Sequence, residues 1–300
     1  MRHLKYFKNR IYSIIFLSIL VAGCGNNLKE EKEAYVNEME PVYEDNEVFI
    51  EEAEKLDTSR IESMYVGTKE TISEEEIDEY LSLLNDELIP LATKMDEKVN
   101  NIEVMNEELV ELHDSYKESV ELKEQFAKEL REYIDIFARS VEINKQLSDY
   151  GEKVLENKKT RDALVQGNLS KEEKEEIDEL IEVINQNSET LEQEATTLQK
   201  DLSIGEKEAH IKNVLMPLLD EQIANINQLA IKTNKGKQIR TLSLEMFYTF
   251  KSYYEERANL MRVYEDEGNY QLQSILPKFE ASNKITAKYH KNLRKLETQN

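Results

Sequence analysis

The 300-residue chain has one cysteine, no tryptophan, 8 glycines and 4 prolines. One cysteine excludes an intramolecular disulfide and any cysteine-rich zinc module. So few glycines and prolines cannot supply the turns of a sandwich, a barrel or a doubly wound sheet. Cations are also scarce: 39 Lys and Arg face 62 Asp and Glu, a net charge of −23. That balance argues against nucleic-acid binding, which needs a basic footprint. Phosphate-cradling and nucleophile-elbow patterns are missing: there is no Walker A, no Gly-x-Gly-x-x-Gly and no Gly-x-Ser-x-Gly. What remains is an acidic, mostly helical chain, with 39% apolar residues to build a core.

The N-terminus has its own grammar. Arg2, Lys5, Lys8 and Arg10 precede an apolar stretch, Ile11 to Leu20, that ends in Val21-Ala22-Gly23-Cys24. This is the basic, apolar and small-residue sequence of a secretory signal peptide, and the stretch is too short for a comfortable transmembrane helix. Val21, Ala22, Gly23 and Cys24 resemble the lipobox of bacterial lipoproteins. The resemblance implies diacylglycerol on the Cys24 thiol and cleavage just before it. No other cysteine competes for that role, and two or three acyl chains on one residue anchor stably where one is marginal. Cleavage would remove four basic residues and no acid, taking the net charge from −23 to −27.

Three regions are expected. Residues 1–23 are the signal peptide. Residues 24–70 are the lipidated cysteine and an acidic tether, with 14 acidic and 5 basic residues over 25–70 and a break at Pro41. Residues 71–300 are a helical bundle. Ser73-Glu74-Glu75-Glu76 and Ser170-Lys171-Glu172-Glu173 are capping boxes that open helices. Beyond Pro90 runs a long heptad pattern, with a positions Ile102, Leu109, Tyr116, Lys123, Leu130, Phe137, Asn144 and Gly151 and d positions Met105, Leu112, Ser119, Phe126, Tyr133, Ser140, Leu147 and Val154. The interspersed Lys and Ser fit an irregular bundle better than a coiled-coil dimer. Lys235-Gly236-Lys237 reads as a helix end. The fold expected is all-α: an elongated antiparallel, coiled-coil-like bundle of about three long kinked arms over 91–158, 171–235 and 238–300. Each arm would be roughly 100 Å long if continuous. Gly205, Pro217, and Gly268-Asn269 with Pro277 are the places where arms would bend. No repeat of fixed period is visible beyond the heptad texture.

Candidate chemistry is sparse. His113, His210 and His290 are far apart in sequence and read as solvated or core residues. Glu265 to Asn269 lacks the spacing of an EF-hand loop and reads as a helix-end loop. No metal, cofactor or catalytic residue is expected. The densest unusual patch is Met246 to Tyr254. Met246, Phe250, Tyr253 and Tyr254 share one helical face and suit the core. Phe247 and Tyr248 lie off that face and are the candidates for a small binding patch.

Glu245-Met246-Phe247-Tyr248 resembles the signature of the EMYY-motif lipoproteins of staphylococci and related Gram-positive bacteria, with Phe247 where the third motif residue would be Tyr. The helical build is also similar to that of the YkyA-type cell-wall-binding lipoproteins of Firmicutes. The resemblance implies no catalytic residue. The expectation is therefore a non-enzymatic lipoprotein, anchored to membrane lipid through Cys24 on the outer face of a Gram-positive cell membrane. It would bind an envelope protein partner or act as a spacer, without contacting nucleic acid. The alternatives are a solute-binding lipoprotein of a transporter, which would need two α/β lobes, and an envelope enzyme built from dispersed histidines and carboxylates.

Overall fold

In the computed structural model, residues 27–64, 72–186 and 188–298 are described. They are helical, with no strand among them. The α-helices run in order α1 (Asn27–Ala53), α2 (Thr58–Glu62), α3 (Glu74–Ser82), α4 (Ile89–Asn100), α5 (Glu107–Gln166), α6 (Lys171–Gln186), α7 (Ser188–Thr197), α8 (Ile204–His210), α9 (Met216–Gln228), α10 (Asn234–Glu267) and α11 (Leu272–Thr298). A π-helical turn joins α3 to α4 (Leu83–Leu88), and another joins α8 to α9 (Ile211–Leu215).

The spine is α5, about 90 Å long at 1.5 Å per residue. Its heptad register holds from Leu109 to Ser140, where Leu109, Leu112, Tyr116, Ser119, Lys123, Phe126, Leu130, Tyr133, Phe137 and Ser140 are all buried. Outside that span it fails: the loop at 101–106 interrupts the expected first arm and leaves Met105 89% exposed, and Asn144, Leu147, Gly151 and Val154 are not buried. Antiparallel to it run α10 and then α11. Arg139 of α5 bonds Asp266 at the end of α10, and Ser119 meets Thr286 of α11. At the first half of α5, helices α1, α3 and α4 complete a bundle with α11. At the second half, α6, α7, α8 and α9 pack on α10.

Several expectations are corrected. The acidic segment is no tether over its helical part. Tyr35, Met39, Val42, Phe49 and Ala53 of α1 are core residues, and Pro41 sits inside the helix without ending it. The middle arm is not continuous: α6 and α7 run one way and α8 and α9 fold back, with the reversal near 198–203. Gly205 lies just inside α8 behind the capping box of Ser203 and Glu206. Of the two bend signals in the third arm, Gly268-Asn269 marks the break, at 268–271, and Pro277 lies within α11. Lys235-Gly236-Lys237 opens α10, whose N-cap is Thr233. The Gly236 position is crowded: an added Cβ would lie 2.6 Å from Ile231 Cγ2 and 2.7 Å from Glu176 Oε2.

The folded chain also holds an internal repeat with a spacing of 127 residues. Ile89 N–H donates to Leu84 O in the first π turn, and Met216 N–H donates to Ile211 O in the second. Pro90 and Pro217 follow at equivalent positions. A proline lacks its N–H donor, and the wider π spacing satisfies the ladder beside it. Buried residues coincide at Leu84 and Ile211, Leu88 and Leu215, Ala92 and Leu219, Met95 and Gln222, and Val99 and Ile226. The N-caps of the long helices, Asn106 and Thr233, keep the same spacing. Each half thus holds a helical arm with a π turn inside it, followed by a loop and a long helix.

Candidate functional site

The second half leaves a cleft open. Its apolar walls are Val154 of α5, Ile184 of α6, Leu191 and Ala195 of α7, Leu219 of α9, and Met246, Phe247, Phe250 and Tyr254 of α10. The cavity is about 400 Å³, within the ordinary range for small-ligand sites. Lys158 and Arg161 of α5 and Glu192 of α7 supply its charges. Arg161 is held in place: its Nε and Nη2 reach Asp162 Oδ1 at 3.1 and 2.8 Å, and its Nη1 lies 3.9 Å from Met246 Sδ. The guanidinium beside Asp162 draws that carboxyl below its usual range.

The first half shows why the cleft exists. With the 127-residue spacing, Met246, Phe247, Phe250 and Tyr254 correspond to Ser119, Val120, Lys123 and Ala127. These four are fully buried, whereas Phe250 and Tyr254 are half-exposed. In the first half α11 closes this place: Ser119 Oγ lies 2.6 Å and Lys123 Nζ 3.4 Å from Thr286 Oγ1, and Phe126 stacks on Phe279. In the second half the equivalent face of α10 meets the later part of α5, with Arg161 beside Met246, and α6 and α7 border the gap that is left. The cleft is therefore the unsealed counterpart of a packed core.

Two residues of the four-residue signature, Met246 and Phe247, belong to the wall of the cleft. Glu245 is exposed, Met246 and Phe247 are buried in the wall, and Tyr248 points to solvent with 53% of its surface exposed. The family model of the EMYY-motif containing lipoproteins matches residues 6–297. The chain belongs to that family. The match gives no support to the likeness to YkyA-type proteins. No curated protein and no solved structure matches the chain. This EMYY-motif protein is accordingly an extracytoplasmic lipoprotein. Among its described residues no helix is long and apolar enough to cross a membrane.

The residues singled out in the sequence fall in different places. Val21, Ala22, Gly23 and Cys24 lie outside the described residues. Of the proposed patch, Phe247 belongs to the core and only Tyr248 is exposed. Two of the three histidines of this EMYY-motif protein converge. Tyr35 Oη lies 3.4 Å from His113 Nδ1, Tyr289 Oη donates to Tyr35 Oη at 3.1 Å, and Tyr43 and Tyr289 hydroxyls are 2.5 Å apart. His290 packs edge-on against Tyr43 and Tyr289. Burial holds both imidazoles below their ordinary pKa, with Lys117 adding to the effect at His113 and Arg294 at His290. His210 lies elsewhere, its Nε2 2.9 Å from Glu194 O. No cluster of His, Cys, Asp and Glu suited to a metal ion is found among the described residues. Sequence reasoning missed Arg161. Its signal was a cation on the heptad helix that faces the motif only once α10 is folded back.

Proposed function

We propose that this lipoprotein is a non-enzymatic binding module of the cell envelope, held by acylated Cys24 on the outer face of a Gram-positive cell membrane. It binds an envelope partner through the cleft walled by Met246 and Phe247. One observation carries this reading: Met246 and Phe247 of the signature help to wall a cleft on a face of α10 whose first-half counterpart on α5 is fully buried. Such an apolar wall with a fixed guanidinium suits an apolar side chain or tail next to an acidic or carbonyl group. The strongly acidic surface favours a basic protein over anionic wall polymers. The all-α fold of the described residues lacks the two α/β lobes that a transporter's solute-binding lipoprotein would need.

Two experiments test it. Cys24→Ala is expected to abolish fatty-acid labelling and signal cleavage, and a labelled mutant would contradict the anchor. Ala195→Trp is expected to fill the cleft and weaken partner capture at the cell surface with the helical spectrum unchanged. Undiminished capture by a folded Ala195→Trp protein would contradict the binding role.

A further inference from the structure

One end of the molecule gathers the features of a lipid-facing surface. Four chain segments meet there. Tyr35 near the start of α1 touches His113 near the start of α5, and Tyr289 near the end of α11 touches Tyr35. Lys98 in the last turn of α4 bonds Pro41 O and Asp45 of α1. From this layer α1, α5 and α11 each continue for only about 9–13 Å before they begin or end. The loop from α4 to α5 crosses the same end, and it carries Met105. That side chain is 89% exposed, the most exposed large apolar group among the described residues, with Ile102 and Val104 half-buried beside it.

The same end holds a cationic face in a chain with a net charge of −23. Lys284, Lys288, Lys291 and Lys295 are all exposed on α11. Their spacing of four, three and four residues puts them on one helix face, about 16 Å long. No acidic residue occurs between Lys284 and Lys295. The acids of this end include Glu30 and Glu31 on α1, Glu103 in the loop, Glu107 and Glu108 on α5 and Glu297 near the end of α11, and Lys284 also pairs with Glu280 at 3.3 Å. The anchor is close by in sequence: α1 begins at Asn27, three residues after Cys24, a reach of roughly 10 Å. The packed α1 leaves no long tether to lift the bundle away.

We propose that this end of the bundle seats directly on the anionic bilayer that holds the anchor. Met105 enters the headgroup boundary, and the molecule tilts so that the lysine face of α11 meets the lipid while Glu103 and the acidic starts of α1 and α5 stay on the water side. Cationic side chains beside an anionic leaflet and an apolar group at the interface reinforce one another. The proposal rests on the Cys24 anchor, and the test separates the two.

The test uses the full acylated protein in vesicles of phosphatidylcholine, with and without phosphatidylglycerol. Acylation leaves the chain with no free thiol, so Met105→Cys gives a unique site for a fluorophore. Gln166→Cys places the same probe at the far end of α5. Acyl chains carrying bromine should quench the probe at 105 and not at 166, and phosphatidylglycerol should deepen the quenching. Lys288→Glu with Lys291→Glu should remove the phosphatidylglycerol effect, with the helical spectrum and melting temperature unchanged. High salt should remove it too. Equal quenching at 105 and 166, or quenching that ignores both phosphatidylglycerol and the charge reversal, would overturn the proposal. Fatty-acid labelling is read separately: loss of label with the 105 probe still quenched would reject the anchor and keep the seating.

Discussion

Lys123 of α5 lies fully buried against Thr286 of α11, its Nζ 3.4 Å from Thr286 Oγ1 and 3.2 Å from Ser119 Oγ. The two hydroxyls are themselves 2.6 Å apart. An ammonium among neutral hydroxyls lacks the counter-charge that normally offsets burial. Burial pushes its pKa down to about 8. The unfolded chain holds the proton more tightly, so it carries more protons between pH 8 and the ordinary lysine value. Stability should rise with pH across that window, and the penalty is fully present below it. Lys123→Met should stabilise the protein at neutral pH by up to about 3 kcal/mol and flatten the rise. Urea unfolding of both proteins at neutral and alkaline pH measures this, and a destabilised Lys123→Met protein would contradict it.

The histidines at the base predict the opposite limb. His113 and His290 are held neutral by burial. The unfolded chain takes up protons at the ordinary histidine value while the folded chain resists. Stability is thus present above about pH 6.5 and falls as pH drops below it. His113→Phe should blunt that acid loss. Thermal melts across the acid range check it, with His210→Phe as the contrast, since His210 lies outside the tyrosine cluster.

Glu176 and Gly236 predict a packing effect. The Glu176 carboxylate accepts from Lys232 N at 2.7 Å, from Thr233 N at 3.0 Å and from Thr233 Oγ1 at 2.5 Å, capping the start of α10. Those bonds lower its pKa. Gly236→Ala would push a methyl into this cap and should destabilise by about 1–3 kcal/mol. Glu176→Ala in the same background should recover part of the loss, because it removes one of the crowding atoms. Chemical unfolding of the single and double variants gives the coupling.

The halves are not equally packed, which predicts unequal tolerance of filling. Ala92 in the first half and Ala195 beside the cleft are both small. Ala92 is fully buried, whereas Ala195 borders open space. Ala92→Trp should destabilise strongly through overpacking. Ala195→Trp should leave the melting temperature near that of the parent. Similar losses at both positions would mean that the cleft is not open.

The buried face of α5 was legible because its apolar residues fall on one heptad register from Leu109 to Ser140. The role of α1 was not. Tyr35, Met39, Val42 and Phe49 are spaced at helical intervals, but acids surround them and Pro41 interrupts the run. The reversal of the middle arm carries no glycine or proline at 198–203, and Gly205 falls inside the next helix. Gly236 shows how one residue serves either end of a helix: the deciding signal was Thr233, three residues earlier. The 127-residue repeat was hidden because its pattern of burial persists while identities survive only at positions such as Leu88 and Leu215 or Pro90 and Pro217. Arg161 became part of the cleft only through α10, a partner distant in sequence.

The central claim is that the cleft beside the signature is where a partner binds. The most direct measurement is photocrosslinking on intact cells from a benzophenone side chain at Leu191 in the cleft, compared with one at Glu121 on the exposed face of α5. The account predicts a discrete crosslinked product from 191 that is lost with Ala195→Trp, and none from 121. The same product from both positions, or none from 191, would contradict it.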